Sequence, residues 1–164
     1  KHSEILYRWY LKEFCENEKK DCPKCHDFND IPRHYVQLDV IKSLSIIRTG
    51  ENYTPHEYVE LLQTIMEKSK NTTNVYNDDS FNAEVELALG RINPDNEEMT
   101  INSCKLISSK LILHATIPSF CNIITSSGYT ALTAISLKNI GNENIPKPII
   151  ADMRGVVQQN SNYL

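Results

Sequence analysis

The stretch FNAEVELAL, residues 81–89, decides which fold class the sequence predicts. Apolar side chains occupy its odd positions and polar ones occupy three of the even positions, which is typical of a β-strand with one buried face. A short helix is the alternative, because apolar residues also recur about every four positions from Phe81 to Ile92. The alternation favours the strand, and we predict a change from helices to strands at Phe81.

Three helices are predicted upstream of this stretch, because apolar side chains recur there at steps of three and four residues. The first two cover residues 3–14 and about 32–47. The third has the clearest start, with Thr54 as N-cap, Pro55 at the first helical position and Glu57 completing a capping box.

The segment after residue 89 continues the strand pattern. The sequence Asn-Pro-Asp-Asn at residues 93–96 predicts a tight turn. Further strands are predicted over short apolar segments at residues 99–107, 110–117, 121–125 and 129–137. Because helices come first and strands second, the predicted fold class is α+β, with an N-terminal helical layer followed by an antiparallel sheet.

We expect one compact domain in four parts. Residues 1–70 form the helical part, 71–80 a linker, 81–155 mainly the antiparallel sheet and 156–164 a loose tail. A chain of 164 residues with 40% hydrophobic content is long enough to bury its own core. The chain begins at Lys1 rather than Met, which indicates a piece excised from a larger protein.

Charge and composition exclude some classes of function. The net charge is −4 and no segment is strongly basic, which argues against binding to a nucleic-acid backbone. No apolar run reaches the roughly 20 residues that a membrane span needs. Ile, Asn and Lys are abundant while Gly and Ala are scarce, a composition typical of an AT-rich genome such as that of a large DNA virus.

A cluster of cysteine and histidine residues near the start of the chain predicts a metal site. Cys22 and Cys25 form a C-x2-C pair, whose tight turn can direct two thiolates at one zinc ion. Cys15, at the end of the first predicted helix, and His34, at the start of the second, complete a set of four ligands. Four protein ligands leave no open position, so this Zn²⁺ site is predicted to be structural.

Two alternatives to the zinc site remain open. His26 can replace His34 as fourth ligand, although its adjacency to Cys25 is sterically awkward. The thiols can instead form a disulfide, such as Cys15 with Cys22 or Cys25, or remain free. Clustering beside two histidines favours the metal and a reducing compartment, the cytoplasm or nucleus.

Two further cysteines, Cys104 and Cys121, are predicted to lie buried on strands as small apolar side chains. The alternative is a cross-strand disulfide between them. His114 is the histidine that the fold could bring near either thiol, but a strand histidine is more often a packed or surface residue than a base.

Carboxylates around the predicted turn resemble a metal-dependent nuclease site only faintly. Asp95, Glu97 and Glu98 are followed by Lys105, but their spacing does not match the D/E-x-K pattern of such enzymes. We interpret these residues as a solvated turn, and no catalytic residue is predicted.

The sequence therefore predicts a non-enzymatic, zinc-stapled protein-interaction or assembly module. Its partner is another protein or the rest of its parent chain, docked at the sheet edge or on the Tyr- and Trp-rich helix face. One alternative is a secreted or surface domain with disulfides and with glycans at the sequons of Asn52 and Asn71. A second alternative is a nucleic-acid-binding zinc module.

Overall fold

The computed structural model of the chain describes residues 2–15, 24, 27–69, 77–142 and 145. Within these ranges it contains six α-helices, and a 3₁₀ turn, Phe120–Asn122, connects the last two. The helices are α1 (His2–Phe14), α2 (Ile31–Ile46), α3 (His56–Lys68), α4 (Asp79–Arg91), α5 (Glu97–Thr116) and α6 (Ile123–Lys138).

The predicted α+β fold is wrong, because the part of the chain that the structure describes is all-helical and contains no sheet. The stretch at residues 81–89 lies in α4, so the short-helix alternative is the one observed. The alternation was misleading because Glu86, one of its polar positions, is completely buried. Residues on most sides of α4 are buried, so this helix is a central element of the bundle. Its sequence therefore lacks the polar face from which the helical period of 3.6 residues is recognised.

The three upstream helices are confirmed, with ends shifted by one or two residues. The predicted apolar stripe of α3 is buried throughout, at Tyr58, Leu61, Leu62, Ile65 and Met66. The predicted cap of α3 is wrong in detail, because Pro55 occupies the N-cap position and Thr54 precedes it. The Thr54 hydroxyl instead accepts hydrogen bonds from Arg48 Nη1 at 3.0 Å and from the Asn93 backbone N–H at 2.8 Å.

The C-terminal end of α4 is capped by two cationic side chains. Arg48 Nη2 donates to the Arg91 carbonyl at 2.7 Å. Lys138 Nζ donates to the carbonyls of Gly90, Arg91 and Ile92 at 2.8, 2.6 and 2.9 Å. Positive charge at this end complements the helix dipole, so these contacts fix the ends of α2 and α6 against α4.

Close helix packing places the α5–α6 hairpin against the rest of the bundle. A Cβ atom on Gly90 would lie 2.6 Å from the Ala131 Cα, so the glycine allows α4 and α6 to cross at short distance. One turn away on α6, a Cβ atom on Gly128 would lie 2.8 Å from Leu111 Cδ2 of α5. The α5–α6 hairpin therefore has a fixed position relative to the core.

Candidate interaction surface and predicted metal ligands

Cys15 and His34 are the predicted zinc ligands that lie within the described residues. Cys15 is buried directly after α1, and His34 lies in the first turn of α2, where it is partly buried. Cys22, Cys25 and the alternative ligand His26 lie outside the residues that the structure describes.

The end of α1 and the start of α2 meet in this region. Arg33 Nη2 donates to Glu13 Oε2 at 3.0 Å and stacks over the Phe14 ring. Lys24 joins the same contact, since its backbone N–H donates to the Phe14 carbonyl at 3.0 Å and its Nζ to the Glu13 carbonyl at 2.9 Å. The end of α1, which Cys15 follows, is thus adjacent to the start of α2, which carries His34.

The His34 imidazole lies among aromatic rings, with centroids 5.2 Å from Phe28 and 6.3 Å from Phe81. Desolvation by these neighbours lowers its pKa, while Asp78 partly opposes that shift. A neutral imidazole is the form that binds zinc. Across residues 2–15, 24, 27–69, 77–142 and 145, no three His, Cys, Asp or Glu side chains are grouped to hold a metal ion.

The other cysteines do not form the disulfide considered from the sequence. Cys104 and Cys121 both carry free thiols, so a Cys104–Cys121 disulfide is wrong for this structure. Cys104 is partly buried, and burial raises its pKa to about 11, which keeps the thiol protonated. Cys121 is exposed, so its predicted burial is wrong. His114 Nδ1 lies 3.0 Å from the Ile117 carbonyl in the last turn of α5.

The carboxylates near the turn at residues 93–96 are exposed, as are those of Glu97 and Glu98 at the start of α5. Asn96 caps this helix by accepting a hydrogen bond from the Glu98 N–H at 2.8 Å. Acidic side chains in a first helical turn are favourable for the helix dipole, which supports the interpretation as a solvated turn.

The Asn52 sequon lies in the turn between α2 and α3, where Asn52 is exposed with a left-handed φ of 65°. The threonine of this sequon, Thr54, is buried, and its hydroxyl accepts hydrogen bonds from Arg48 and from the backbone N–H of Asn93. Asn71 lies outside the described residues.

Glu86 is a buried acid that the sequence pattern placed on a solvent face. Its side chain is 0% exposed between α4 and α6, where Ser127 Oγ donates to Oε2 and no hydrogen bond reaches Oε1. Desolvation raises its pKa to about 7, although the Ser127 hydrogen bond and the Lys110 charge oppose the shift.

The end of the α5–α6 hairpin exposes five large apolar side chains within twelve residues of sequence. We call these the apolar end surface: Ile112, Leu113, Ile117, Phe120 and Ile123. Phe120 is 81% exposed, Ile112 71% and Ile117 66%. Exposed single apolar residues are ordinary, whereas large exposed apolar patches mark interaction sites.

The turn at this end is held in a specific conformation. Cys121 and Asn122 both adopt left-handed backbone angles, with φ of 51° and 53°. The Phe120 N–H donates to Asp79 Oδ2 at 3.1 Å, and the Asn122 N–H donates to the Ser119 carbonyl at 3.0 Å. Left-handed angles are unfavourable for a cysteine, so the fold maintains a strained turn that leaves Phe120 in solvent.

A charge-free stretch of sequence surrounds the apolar end surface. Residues 111–137 contain no Asp, Glu, Lys or Arg, and Lys110 and Lys138 stand at its two limits. This absence of charge is the signal that could have revealed the surface from the sequence, but the predicted strands assigned these residues to a buried sheet. In the described ranges, no helix has the length and apolar character that crossing a membrane requires.

The face of α1 and α2 that the sequence offered for docking is only partly open. Trp9 packs edge-on against Phe14 with ring centroids 5.6 Å apart, and Tyr35 on α2 is exposed. Arg8 and Glu4 of α1 form an exposed ion pair, with Nη2 and Oε1 2.6 Å apart. Charged side chains therefore accompany the aromatic residues of α1.

A small cavity lies beside the cap of α4, between Leu89, Ile135 and Lys138. Its volume of about 20 Å³ has room for roughly one water molecule, so it does not suit an organic ligand.

Comparison of the chain with known protein families and with curated proteins found no match.

Proposed function

We propose that this chain is a non-enzymatic protein-interaction module that binds another protein through the apolar end surface. The observation that carries the proposal is the joint exposure of Ile112, Ile117 and Phe120 at the end of the α5–α6 hairpin. A strained, hydrogen-bonded turn holds Phe120 in this position. Burying one such side chain completely is worth about 1.5–3 kcal/mol, so the group offsets a substantial part of the roughly 4–15 kcal/mol that association costs.

Photocross-linking from the surface tests this proposal. The photoreactive amino acid p-benzoylphenylalanine would replace Phe120 or Ile117 in the full chain, with the exposed position Asp39 of α2 as matched control. We expect protein adducts from both surface positions, in purified protein or in cell extract, and none from position 39. Equal labelling from all three positions, or no protein adduct from either surface position, would contradict the proposal.

The proposal retains the zinc staple, whose ligand His34 lies near Phe81 at the start of α4. In its support, Lys24, which stands between Cys22 and Cys25 in the sequence, contacts the end of α1 beside Cys15. The pKa of His34 is lowered, which favours the neutral ligand form. Four ligands from the loop and two helix ends would fix α1 to α2, and a reducing compartment would keep the thiols available.

Native mass spectrometry of the purified chain measures this metal directly. We expect one zinc ion per chain, lost in Cys22→Ser and retained in the control Cys104→Ser, whose thiol lies on α5. Acidification should release the metal, because protons compete for thiolate and imidazole ligands. A chain that carries no metal in zinc-containing buffer, or equal metal in both variants, would remove the staple from the proposal.

A further inference from the structure

We propose that the α5–α6 hairpin contains a pH-sensitive switch, in which ionisation of the buried Glu86 releases the tip of the hairpin from α4. The hairpin tip is defined as residues 111–127, which carry the apolar end surface. As a control on partner binding this inference rests on the proposed function, but the opening itself is measured without a partner.

The surroundings of Glu86 fit a neutral acid better than a carboxylate. Its side chain is 0% exposed, and within the described residues no hydrogen bond reaches Oε1. Removing a carboxylate from water is costly, and an unpartnered oxygen costs more free energy when it is charged. The closed hairpin is therefore the structure of the protonated acid.

The hydrogen bonds around Ser127 give a second reason. Ser127 Oγ contacts Glu86 Oε2 and also lies 2.9 Å from the Ile124 carbonyl. A hydroxyl has one proton, and a carboxylate and a carbonyl can only accept, so Ser127 cannot donate to both when Glu86 is ionised. When Glu86 is neutral, its own proton can be donated to Ser127 Oγ, which then donates to Ile124. Ionisation leaves one of the two contacts without a donor.

The base of the hairpin is held by contacts that do not involve a carboxyl group. Gln63 of α3 donates to the Met99 carbonyl at 2.8 Å and to Ser103 Oγ at 2.9 Å. Lys138 donates to the carbonyls at the end of α4. Burial, with the charge of Arg48, lowers the pKa of Lys138 to about 8, so most of this charge is kept up to pH 7. The base should stay in place when Glu86 ionises.

The tip has weaker contacts with α4 besides that of Glu86 with Ser127. The Phe120 N–H donates to Asp79 Oδ2 at 3.1 Å, and this hydrogen bond is exposed, so water can replace it. Ionisation of Glu86 should therefore open the tip before the base. Opening would separate Phe120 from Asp79 and change the arrangement of the apolar end surface.

The charged group that acts on Glu86 comes from α5. Lys110 favours the ionised form of the carboxyl. His114 lies one turn further along the same helix, toward the tip, with Nδ1 3.0 Å from the Ile117 carbonyl. Because an imidazole ordinarily titrates at about pH 6.5, the test has to separate His114 from Glu86.

The other helices packed against α4 place their titratable side chains elsewhere. His34 of α2 lies beside the start of α4, and Arg48 and Lys138 bind its last carbonyls. Tyr129 of α6 is partly buried, and Tyr58 of α3 stacks on a tyrosine of α1. The buried side chains of α2 carry no charge.

The expected pH range follows from the two states of Glu86. Burial raises its pKa to about 7 in the closed hairpin, whereas a solvated carboxyl in the open hairpin would return toward 4.5. The open state is favoured as the pH rises, because it releases the proton more readily. The equilibrium constant for opening should increase about tenfold per pH unit between these values and level off above them.

Thiol labelling of the full chain with N-ethylmaleimide measures the opening, in Ile124→Cys at the tip and in the matched control Ile135→Cys near the base. Both isoleucines are buried. Peptide mass mapping separates the native cysteines, and the ratio of native to urea-unfolded labelling rates corrects for thiol ionisation. At position 124 this ratio should rise about tenfold per pH unit from pH 5 to 7 and exceed that at position 135 at least about tenfold. About 1 M urea should accelerate labelling more at position 135, because global unfolding exposes more surface than local opening.

Variants identify the group that titrates. Glu86→Gln should abolish the rise at position 124, and His114→Gln should retain it. Lys110→Met should shift the rise to higher pH and tests the switch without replacing Glu86.

Equal labelling at positions 124 and 135, the same rise in Glu86→Gln, or a rise lost in His114→Gln would overturn the inference. The expected rise in a chain that gives no protein adduct from position 120 would support the switch and contradict the proposed function.

Discussion

The two halves of the helical bundle expose their apolar side chains differently. In α3, the apolar stripe is buried while the charged residues Glu57, Glu67 and Lys68 are exposed, so the helix is amphipathic in the usual way. In the α5–α6 hairpin, residues 111–137 carry no charge, and several large apolar side chains point into solvent. The first arrangement serves the fold alone, whereas the second leaves apolar area that folding does not use. This difference is the reason for which we propose the end of the hairpin as the interaction surface.

Two phenylalanines give the largest contrast between a core position and the apolar end surface. Phe81 in α4 is 1% exposed, so Phe81→Ala should lower the free energy of unfolding by about 3–5 kcal/mol. Phe120→Ala should change it by less than about 0.5 kcal/mol in the monomer, because the ring makes few contacts to lose. Urea denaturation of both variants at low concentration measures the difference. Equal losses would show that Phe120 is a core residue and would contradict the comparison.

Glu86 predicts a pH dependence that originates at the α4–α6 contact. Its pKa is raised from 4.5 to about 7, so the folded chain holds a proton that the unfolded chain has released between these values. Stability should therefore fall as the pH rises from about 4.5 to 7, by about 3 kcal/mol, and level off above. Unfolding free energies measured by urea at intervals from pH 4.5 to 8.5 test this.

Glu86→Gln should remove that decline, because its amide does not ionise. The exposed Glu97→Gln is the matched control and should retain the decline. A third variant, Lys110→Met, should shift the decline to higher pH, since the Lys110 charge lowers the pKa of Glu86. The same pH profile in wild type and Glu86→Gln would mean that another group is responsible.

Alanine substitutions at two glycines should give the smallest changes in the free energy of unfolding. They compare the contact of α6 with α4 and its contact with α5. Gly90→Ala places a methyl group against the Ala131 backbone, which cannot move aside, and should destabilise by about 1–3 kcal/mol. Gly128→Ala meets the end of the Leu111 side chain, which can adjust, and gains up to about 1 kcal/mol of helix propensity. It should therefore be nearly neutral in thermal unfolding. A larger loss for Gly128→Ala would mean that the α5–α6 contact is the tighter one.

Sequence patterns predicted the first three helices because their apolar residues share a face and their charges mark the other. They failed for α4 because Glu86 lies inside, and the partly buried Leu87 adjoins it, so hydrophobicity does not follow the helical period. They failed again for α5 and α6, whose Ile and Thr residues have high β propensity and whose exposed faces lack charge. The close contacts of Gly90 with α6 and of Gly128 with α5 are tertiary features that a single sequence does not reveal.

Of the predicted site, the sequence supplied the candidate ligands but not their arrangement. Cys15 and His34 were assigned to helix ends that the structure places at adjacent positions, as the Arg33–Glu13 contact shows. The apolar end surface was missed, because assigning Ile112 and Ile117 to a strand implied a covering layer that does not exist in the described residues.

Methyl spectra of the full chain, labelled at the isoleucine δ1 position and recorded with a soluble paramagnetic agent, measure directly whether the apolar end surface is open to solvent. We expect the agent to broaden Ile112 and Ile117 as strongly as the exposed Ile5 of α1. The buried residues Ile107 and Ile135 are internal controls and should keep sharp signals. Protection of Ile112 and Ile117 to the level of Ile107 in a dilute sample would contradict an open interaction surface at the end of the α5–α6 hairpin.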